Sequence, residues 1–309
     1  MSSSAAAADD PPDLICHLDS IHGMVDALTS IRWKRHQDAV MELSEHGIVV
    51  IVEESGCLQA KVYLKRELFL VYEYAAEGHP RFGMSLDLFV DGLNIFSALG
   101  PATVNLHHCD ALYIYMLRTV DFPNGSLYAA IRTRIPDTIS WDYNFEPTGI
   151  VPISFTVKSV VLKEAIEDLE WPGSSIQIVL QPDPPCVTFK GDGHGEFLLS
   201  SPQIDFPYYA STALLIAFQC SCQVAYWYKY KFLSATTSNI PACVLKANRG
   251  SKLTIGRGGM LKILHLVSVG RPGAPHPYGD NVGEPRRFAY IEFDVKAKEE
   301  QEDAPINDS

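Results

Sequence analysis

The chain has 309 residues, with 25 Lys and Arg against 37 Asp and Glu, a formal net charge of −12 and 47% hydrophobic residues. That length suits two domains of about 150 residues each. The acidic balance excludes a generally basic nucleic-acid-binding surface and leaves only one whose cations are gathered on a single face. No run of about 18 apolar residues occurs, which excludes a membrane-spanning helix.

Residues 1–12, within MSSSAAAADDPPD, lack the basic and apolar regions of a secretory signal and read as a disordered tail. A short strand is expected around Ile15. An amphipathic helix follows, with Ile21, Met24, Val25, Leu28 and Ile31 on one face and Ser20 placed to cap it. After the basic cluster Arg32-Trp33-Lys34-Arg35-His36 come strand-like runs at 38–44, 47–53, 58–64, 68–74 and 82–85. A second helix at 86–97 turns Leu86, Phe89, Val90, Leu93 and Phe96 inward and stops at Gly100-Pro101. Strands at 103–109, 112–119 and 127–135 complete a first domain, 13–135. Residues 136–152 hold Pro136, Pro147, Gly149 and Pro152 and read as an extended linker between domains.

The second domain, 153–295, repeats the plan. A strand leads into a helix at 159–169, opened by Ser159, and three strands follow. An irregular stretch at 201–209, a strand-like run at 213–224 and a fourth helix at 226–237 come next. Strands at 242–248, 252–255, 261–269 and 287–295 end the domain, interrupted by a Gly- and Pro-rich loop at 270–284. Residues 296–309 form an acidic tail that reads as disordered.

The two halves are related in sequence. Displaced by 138 positions without gaps, ICHLDSIHGMVDALTSIRW (15–33) falls on ISFTVKSVVLKEAIEDLEW (153–171). Ile15 lies on Ile153, Met24 on Leu162, Ala27 on Ala165, Leu28 on Ile166, Ile31 on Leu169 and Trp33 on Trp171. The runs 39–43, 47–52 and 58–64 fall near 176–180, 186–190 and 196–201. A period this long is not that of a solenoid. It predicts an α+β fold of two tandem duplicated domains, each with two helices packed on antiparallel sheets.

No motif carries strong catalytic chemistry. The seven cysteines lack disulfide or zinc spacing and read as buried thiols in a reducing compartment. His107-His108-Cys109-Asp110 lies on a predicted strand, where neighbours point to opposite faces and do not converge on a metal. Asp192, His194 and Glu196 occupy a Gly-rich loop, either a divalent-cation group or a plain hairpin turn. Gly256-Arg257-Gly258-Gly259 lacks the strand-to-helix setting of a phosphate loop, and there is no Walker A sequence or GxSxG elbow. No cofactor and no metal are expected.

This order of elements, with His46-Gly47-Ile48-Val49-Val50-Ile51-Val52-Glu53 followed by Cys57-Leu58-Gln59-Ala60-Lys61-Val62-Tyr63, resembles the Rad-one family of checkpoint clamp subunits. The segments 86–96 and 218–232 are similar to that family too, and the resemblance covers roughly 13–295. The family belongs to the sliding DNA clamp superfamily, in which helices line a central hole and sheets lie outside. The resemblance implies a nuclear, ring-shaped heterotrimer with Rad-nine-like and Hus-one-like subunits. It implies a clamp loader, sequence-independent encirclement of double-stranded DNA at damage sites, checkpoint signalling and the recruitment of repair enzymes. It also implies a non-enzymatic role. A 3′–5′ exonuclease activity associated with the family stands as the alternative, with Asp192 and Glu196 as its metal group.

Three sets of residues follow as candidates. Arg32, Lys34, Arg35, Lys158, Lys163, Lys229 and Lys231 would face DNA, although the polar helix faces here are less basic than in the proliferating cell nuclear antigen. Leu127, Ala129 and Ile131 on one edge, and Phe197, Leu198 and Leu199 on the other, would meet neighbouring subunits, because an unpaired strand invites another. Trp141, Tyr143 and Phe145 alternate with polar residues in the linker. They would either dock a partner or pin the linker to its own domain.

Overall fold

In the segment Leu58–Lys65, the residues Leu58, Ala60, Val62 and Leu64 are buried, whereas those between them are half-exposed. This alternation is that of a strand with one covered face, and it recurs along the chain. The computed structural model describes residues 13–18, 21–98, 104–110, 113–119, 126–136, 141–170, 173–192, 195–200, 214–246, 249–268 and 288–298. The first half holds β1 (Leu14–Leu18), α1 (His22–Ser30), β2 (Asp38–Ser44), β3 (Gly47–Glu54), β4 (Leu58–Lys65), β5 (Val71–Tyr74), β6 (Arg81–Ser85), α2 (Leu86–Ala98), β7 (Val104–Asp110), β8 (Tyr113–Thr119) and β9 (Ser126–Arg132). The second holds β10 (Ile153–Lys158), α3 (Ser159–Glu167), β11 (Ser175–Pro182), β12 (Pro185–Gly191), β13 (Gly195–Ser200), β14 (Leu215–Gln219), β15 (Val224–Lys229), α4 (Tyr230–Thr237), α5 (Ala242–Lys246), β16 (Gly250–Ile255), β17 (Leu261–Ser268) and β18 (Phe288–Val295).

Strand pairing exposes the duplication. In the first half β1 pairs with β5 and β7, β7 with β8, and β8 with β9, while β2 pairs with β3 and β6, and β3 with β4. In the second half β10 pairs with β14 and β16, β16 with β17, and β17 with β18, while β11 pairs with β12 and β15, and β12 with β13. Each pairing in one half has its equivalent in the other. One further ladder, between β18 and β4, has no equivalent among the described residues. It joins the halves into a nine-stranded sheet, β14-β10-β16-β17-β18-β4-β3-β2-β6, flanked by β5-β1-β7-β8-β9 and β13-β12-β11-β15.

The helices pack in pairs, α1 on α2 and α3 on α4, and α1 and α4 also rest on β18. The alternating buried residues of the sheets and the inward helix faces merge into one core that includes Met24, Leu28, Phe89, Leu93, Phe155, Leu162, Ile166, Leu233 and Phe293. Each such side chain contributes about 1.5–3 kcal/mol by leaving water. Under α3 a buried polar chain crosses this core. Ser159 Oγ lies 2.8 Å from Ser251 Oγ, which lies 2.8 Å from His265 Nδ1, and His265 Nε2 lies 3.0 Å from the Thr236 carbonyl oxygen. That carbonyl can only accept, so Nε2 carries the proton. Burial pushes the imidazole down to about 4, so it is neutral at physiological pH.

Several expected boundaries change. The 138-residue offset holds for the helices, where Met24, Ala27, Leu28 and Ile31 and their equivalents Leu162, Ala165, Ile166 and Leu169 are all buried. It fails for the preceding strands. Cys16 is buried and Ile15 half-exposed in β1, but Ile153 and Phe155 are buried in β10, so Ile15 and Ile153 face opposite ways. A one-residue difference in the strand-to-helix connection reverses a strand's faces while leaving the helix in register. The Ser159 hydroxyl does not cap α3. It donates to the Arg249 carbonyl at 3.0 Å. The run 226–237 is not all helix, because Tyr226, Trp227 and Tyr228 belong to β15 and suit a pleated surface. Within the stretch 242–248, Ala242–Lys246 is the short helix α5, begun by Pro241, whose carbonyl accepts from the Val244 N–H at 2.9 Å, and residues 247 and 248 lie outside the described residues. The run 213–224 contains β14 and the start of β15, with a bend between, and 68–74 narrows to β5 after a 3₁₀ turn at Arg66–Leu68. Ser20, Trp171, the Phe96 side chain, the stretches 201–209 and 270–284, the tail 1–12 and residues 299–309 lie outside the described residues.

The outer face of the β4–β18 ladder carries charge. Glu292 opposes Lys61 and lies 3.0 Å from Lys262, and Asp294 lies 3.7 Å from Lys262 and 3.8 Å from Lys61. The Asp294 side chain is 1% exposed, and its Oδ1 has no hydrogen bond. Burial outweighs the two lysines and raises the carboxyl to about 6. A folded pKa above the unfolded one favours the fold below about 4 and loses that contribution as pH rises through about 6. Asp294→Asn is therefore expected to stabilise the chain by about 1–3 kcal/mol at pH 8, with the gain gone at pH 4. Urea unfolding at the two pH values measures it.

Candidate nucleic-acid interface and open sheet edges

β9 and β13 each end a sheet. In β9 the backbone of Leu127 pairs with Arg118, Ala129 packs partly buried against the core, and Ile131 is buried. In β13 Leu199 is fully buried, Phe197 is partly buried and Leu198 is 60% exposed. These two strands are the equivalents of β18 and β4. Among the described residues neither has the partner strand that the duplicated pattern would assign it.

The seven candidate cations do not form one uniform patch. Arg32 follows α1 and is held by acids of α2, its Nε 3.2 Å from Asp87 and its Nη1 3.3 Å from Asp91. Lys34 pairs with Glu54 at 2.5 Å and holds that carboxyl below the usual range. Lys163 pairs with Glu167 one turn along α3. Lys158 is half-buried at the start of α3. Arg35, Lys229 and Lys231 are exposed, and the Lys231 ammonium lies 4.5 Å from the Phe232 ring centre. The helices themselves carry Asp26, Asp87, Asp91, Glu164 and Glu167 against Lys163 and Lys231. Positive charge on this side comes mainly from the segments that flank the helices. The Asp87 and Asp91 contacts to Arg32 span more than fifty residues of sequence, so no local spacing announces them.

The linker lies along the opposite side of the nine-stranded sheet. Tyr143 is buried and donates to Glu53 at 3.1 Å, and Lys296 lies over its ring at 4.9 Å. Phe145 packs against Gly256, with the Lys262 ammonium 5.0 Å from its ring centre. Trp141 is 48% exposed and rests on Gly56, whose φ of 66° suits glycine and whose missing Cβ leaves room for the indole. Arg257 ties the linker's end through Glu146, with a 2.9 Å ion pair and a 2.7 Å backbone bond. Beside Trp141 a groove is lined by Val40 and Ile51 and by the charged residues Asp38, Glu53, Arg81 and Arg134. Lys262 and Lys296 were not singled out from sequence. Their partners are aromatic residues of a distant segment, and nothing in their own neighbourhood predicts that.

The Gly-rich loop expected here is shorter than the sequence suggests: Asp192 lies in the turn after β12, whereas Glu196 is in β13 opposite Lys190. Both carboxylates are exposed, and Glu196 lies 3.9 Å from Lys190. His194 falls outside the described residues. Among those described, no three His, Cys, Asp or Glu side chains are grouped to hold a metal.

Two duplicated halves, paired helices over one side of a continuous sheet, and sheet edges left open define the sliding-clamp fold. The proliferating cellular nuclear antigen of Entamoeba histolytica superposes with a TM-score of 0.64 at 13% identity, covering 93% of this chain and all of that one. The antigen of Thermococcus kodakaraensis gives 0.63 at 13% identity, covering 92% of this chain and all of that one. The sequence pattern of the family described as repair protein Rad1/Rec1/Rad17 matches residues 13–243, and the chain belongs to that family. The cell cycle checkpoint protein RAD1 of Homo sapiens is 27% identical over 232 residues, 74% of this chain and 78% of that protein. The Mus musculus protein of the same name is 26% identical over 227 residues, 72% and 77% of the two chains.

The geometry separates the three linker aromatics. Tyr143→Ala is expected to destabilise the fold by about 2–4 kcal/mol, mainly through lost burial, with Glu53 keeping only the bond it accepts from the Gly56 N–H. Trp141→Ala is expected to cost under about 1.5 kcal/mol, since half of its surface already meets water. Chemical denaturation of the two variants beside the parent chain reads the difference.

Proposed function

We propose that this chain is one subunit of a ring-shaped checkpoint clamp that encircles DNA at damage sites, supports checkpoint signalling and recruits repair factors. The ring is a heterotrimer with a Rad-nine-like and a Hus-one-like subunit, placed on double-stranded DNA by a clamp loader in the nucleus. The observation that carries this reading is the single unmatched ladder. Inside the chain β4 pairs with β18, whereas their equivalents β13 and β9 end their sheets. If β9 of one subunit pairs with the β13-type strand of the next, the internal junction repeats between subunits, and the rotation closes a ring. Leu127, Ala129 and Ile131, with Phe197, Leu198 and Leu199, are the residues on those strands.

DNA contact in this subunit would come from Arg35, Lys229 and Lys231, joined by Lys158 and by the acid-paired Arg32, Lys34 and Lys163 in water-bridged or transient contacts. The acidic helix faces leave much of the positive field to the other subunits. The groove beside Trp141 is the candidate for docking repair enzymes, with Tyr143 and Phe145 holding its linker wall. The family and the fold favour a non-enzymatic scaffold over the exonuclease reading. Asp192 stands exposed on a turn and Glu196 exposed in the edge strand β13 beside Lys190, a pair poorly suited to fixing metal ligands within a few tenths of an ångström.

Proline at Ala129 or Leu198 removes a backbone donor and fixes φ. Either substitution is expected to abolish co-purification with one of the two partner subunits while leaving contact with the other. Unchanged co-purification with both would remove the edge assignment. Retention of the assembled clamp on circular DNA is expected to fall steeply between about 50 and 200 mM salt, and further in the Arg35→Ala, Lys229→Ala, Lys231→Ala triple variant. A highly purified preparation given Mg²⁺ or Mn²⁺ and recessed DNA ends is expected to release no nucleotides. Activity lost in an Asp192→Ala, Glu196→Ala double variant would make the exonuclease reading the better one.

A further inference from the structure

The internal junction also serves as a template for what the open edges accept, and this inference rests on the reading of β9 and β13 as ring edges. The registers of the two halves can be fixed independently at both edges. Strand β6 runs directly into α2 and β15 directly into α4, so Ser85 and Lys229 are equivalent. Two residues before each, Gly83 exchanges backbone bonds with Arg134, at 2.7 and 2.8 Å, and the Trp227 carbonyl accepts from the Lys298 N–H at 2.6 Å. Arg134 and Lys298 are therefore equivalent. Counting back along both strands, Ala129 takes the place that Phe293 holds in β18. At the other edge, Asp38 pairs with Ser85 and Ser175 with Lys229. From there Met41 leads through Val50 to Val62, and Ile178 leads through Phe189 to Phe197. Two residues back on the same face, Gly195 takes the place of Ala60.

Phe293 and Ala60 face one another across the β4–β18 ladder, and both are buried. A large side chain there sits over a small one. The open equivalents are Ala129 and Gly195, so a junction between two copies of this chain would lack the phenyl ring and the methyl group that fill the internal one. Gly195 has φ 129°, a conformation that disfavours any side chain. The missing bulk therefore has to come from the strand across from it.

We propose that Ala129 and Gly195 are specificity positions. Each edge leaves a gap about the size of an aromatic ring, and the facing strand of a different subunit fills it with a large apolar side chain. A second copy of this chain leaves the gap empty. Unfilled space of this kind in an otherwise packed apolar contact is strongly unfavourable, and the edges thereby select a different subunit over the chain itself.

The test uses the full chain, alone and co-expressed with its two partner subunits. Sedimentation of the parent chain alone is expected to give a monomer at micromolar concentration. Ala129→Phe restores the ring of Phe293, opposite Gly195, and is expected to strengthen self-association at least about tenfold. It is also expected to weaken assembly with the partner that meets β9 at least about tenfold, because two large side chains then compete for one space. Ala130→Phe adds the same bulk to the other face of β9 and is expected to change neither. Thermal melting confirms that each variant is folded. Rings formed by the parent chain alone, or an Ala129→Phe variant that behaves like the parent in both assays, would overturn the proposal. Ala129→Pro separates the two readings. If it also leaves partner assembly intact, the edge reading itself fails. If it abolishes assembly while Ala129→Phe has no effect, only the gap argument fails.

Discussion

The antiparallel ladder between β4 and β18 is the contact on which the architecture depends. It sets Leu58, Ala60 and Val62 against Val295, Phe293 and Ile291, all buried, across more than two hundred residues of sequence. Each half on its own would have four end strands, β4, β5, β6 and β9 in the first and β13, β14, β15 and β18 in the second. The ladder closes one edge of each, extends one sheet through both halves and lets α1 and α4 share the surface of β18. Because so distant a pairing carries a large loop-closure entropy, it rewards the chain only after both halves are mostly formed. The remaining edges follow from the same arithmetic. A duplicated unit with one internal junction leaves one pair of matching strands unsatisfied, and a neighbouring subunit is the simplest partner for it.

Much of this was legible in the sequence, because the periods of strand and helix are short. The alternating runs at 38–44, 47–53 and 58–64 fix β2, β3 and β4 nearly to the residue, and the apolar stripe of 86–97 fixes α2. The duplication is legible too, since buried positions such as Met24 and Leu162 hold equivalent places in the core. The misreadings lie where the periods compete. Tyr226, Trp227 and Tyr228 precede a helix without a loop, and their strand character depends on pairing with β11, fifty residues away. The gapless offset is right for two helices and wrong for two strands, because their connection differs by one residue, and an alignment in register for the helices then matches opposite faces of the strands. The candidate surface was the least legible part. Whether Arg32 or Lys34 is available to an anion depends on Asp87, Asp91 and Glu54, and only the folded chain brings these carboxylates close.

The charge distribution reconciles an acidic chain with the proposed place around DNA. At physiological salt a surface charge acts over about 8 Å, so the net −12 says less than the arrangement near the helices. There, the carboxylates of α2, α3 and β3 neutralise some of the nearby cations, and Arg35, Lys229 and Lys231 remain exposed at the flanks. In the proposed ring, a subunit built this way would hold DNA weakly and without sequence preference. That suits a sliding contact better than a fixed one, and it makes the field inside a ring depend on which subunits complete it.

The opposite side of the sheet works on another principle. Lys262 and Lys296 both hold the linker, because each ammonium lies over linker rings, and Lys262 serves a second purpose by meeting Glu292 and Asp294. A cation partly shielded by aromatic faces interacts more strongly with both than an exposed one would. The linker thus covers part of the outer face of the internal junction and shields its ion pairs, whose Lys262 and Glu292 side chains remain 27% and 17% exposed. The same cover desolvates Asp294, whose carboxyl is raised to about 6. The strap therefore strengthens the ion pairs around Lys262 while making Asp294 costly to hold ionised. It is tolerable because it secures the halves where the ladder alone presents one strand of each. Trp141, the aromatic least covered by the sheet, stands at the end of this strap beside the groove. A partner docked there would press on the same strap that covers the junction, which couples occupancy of the outer face to the rigidity of the ladder beneath it.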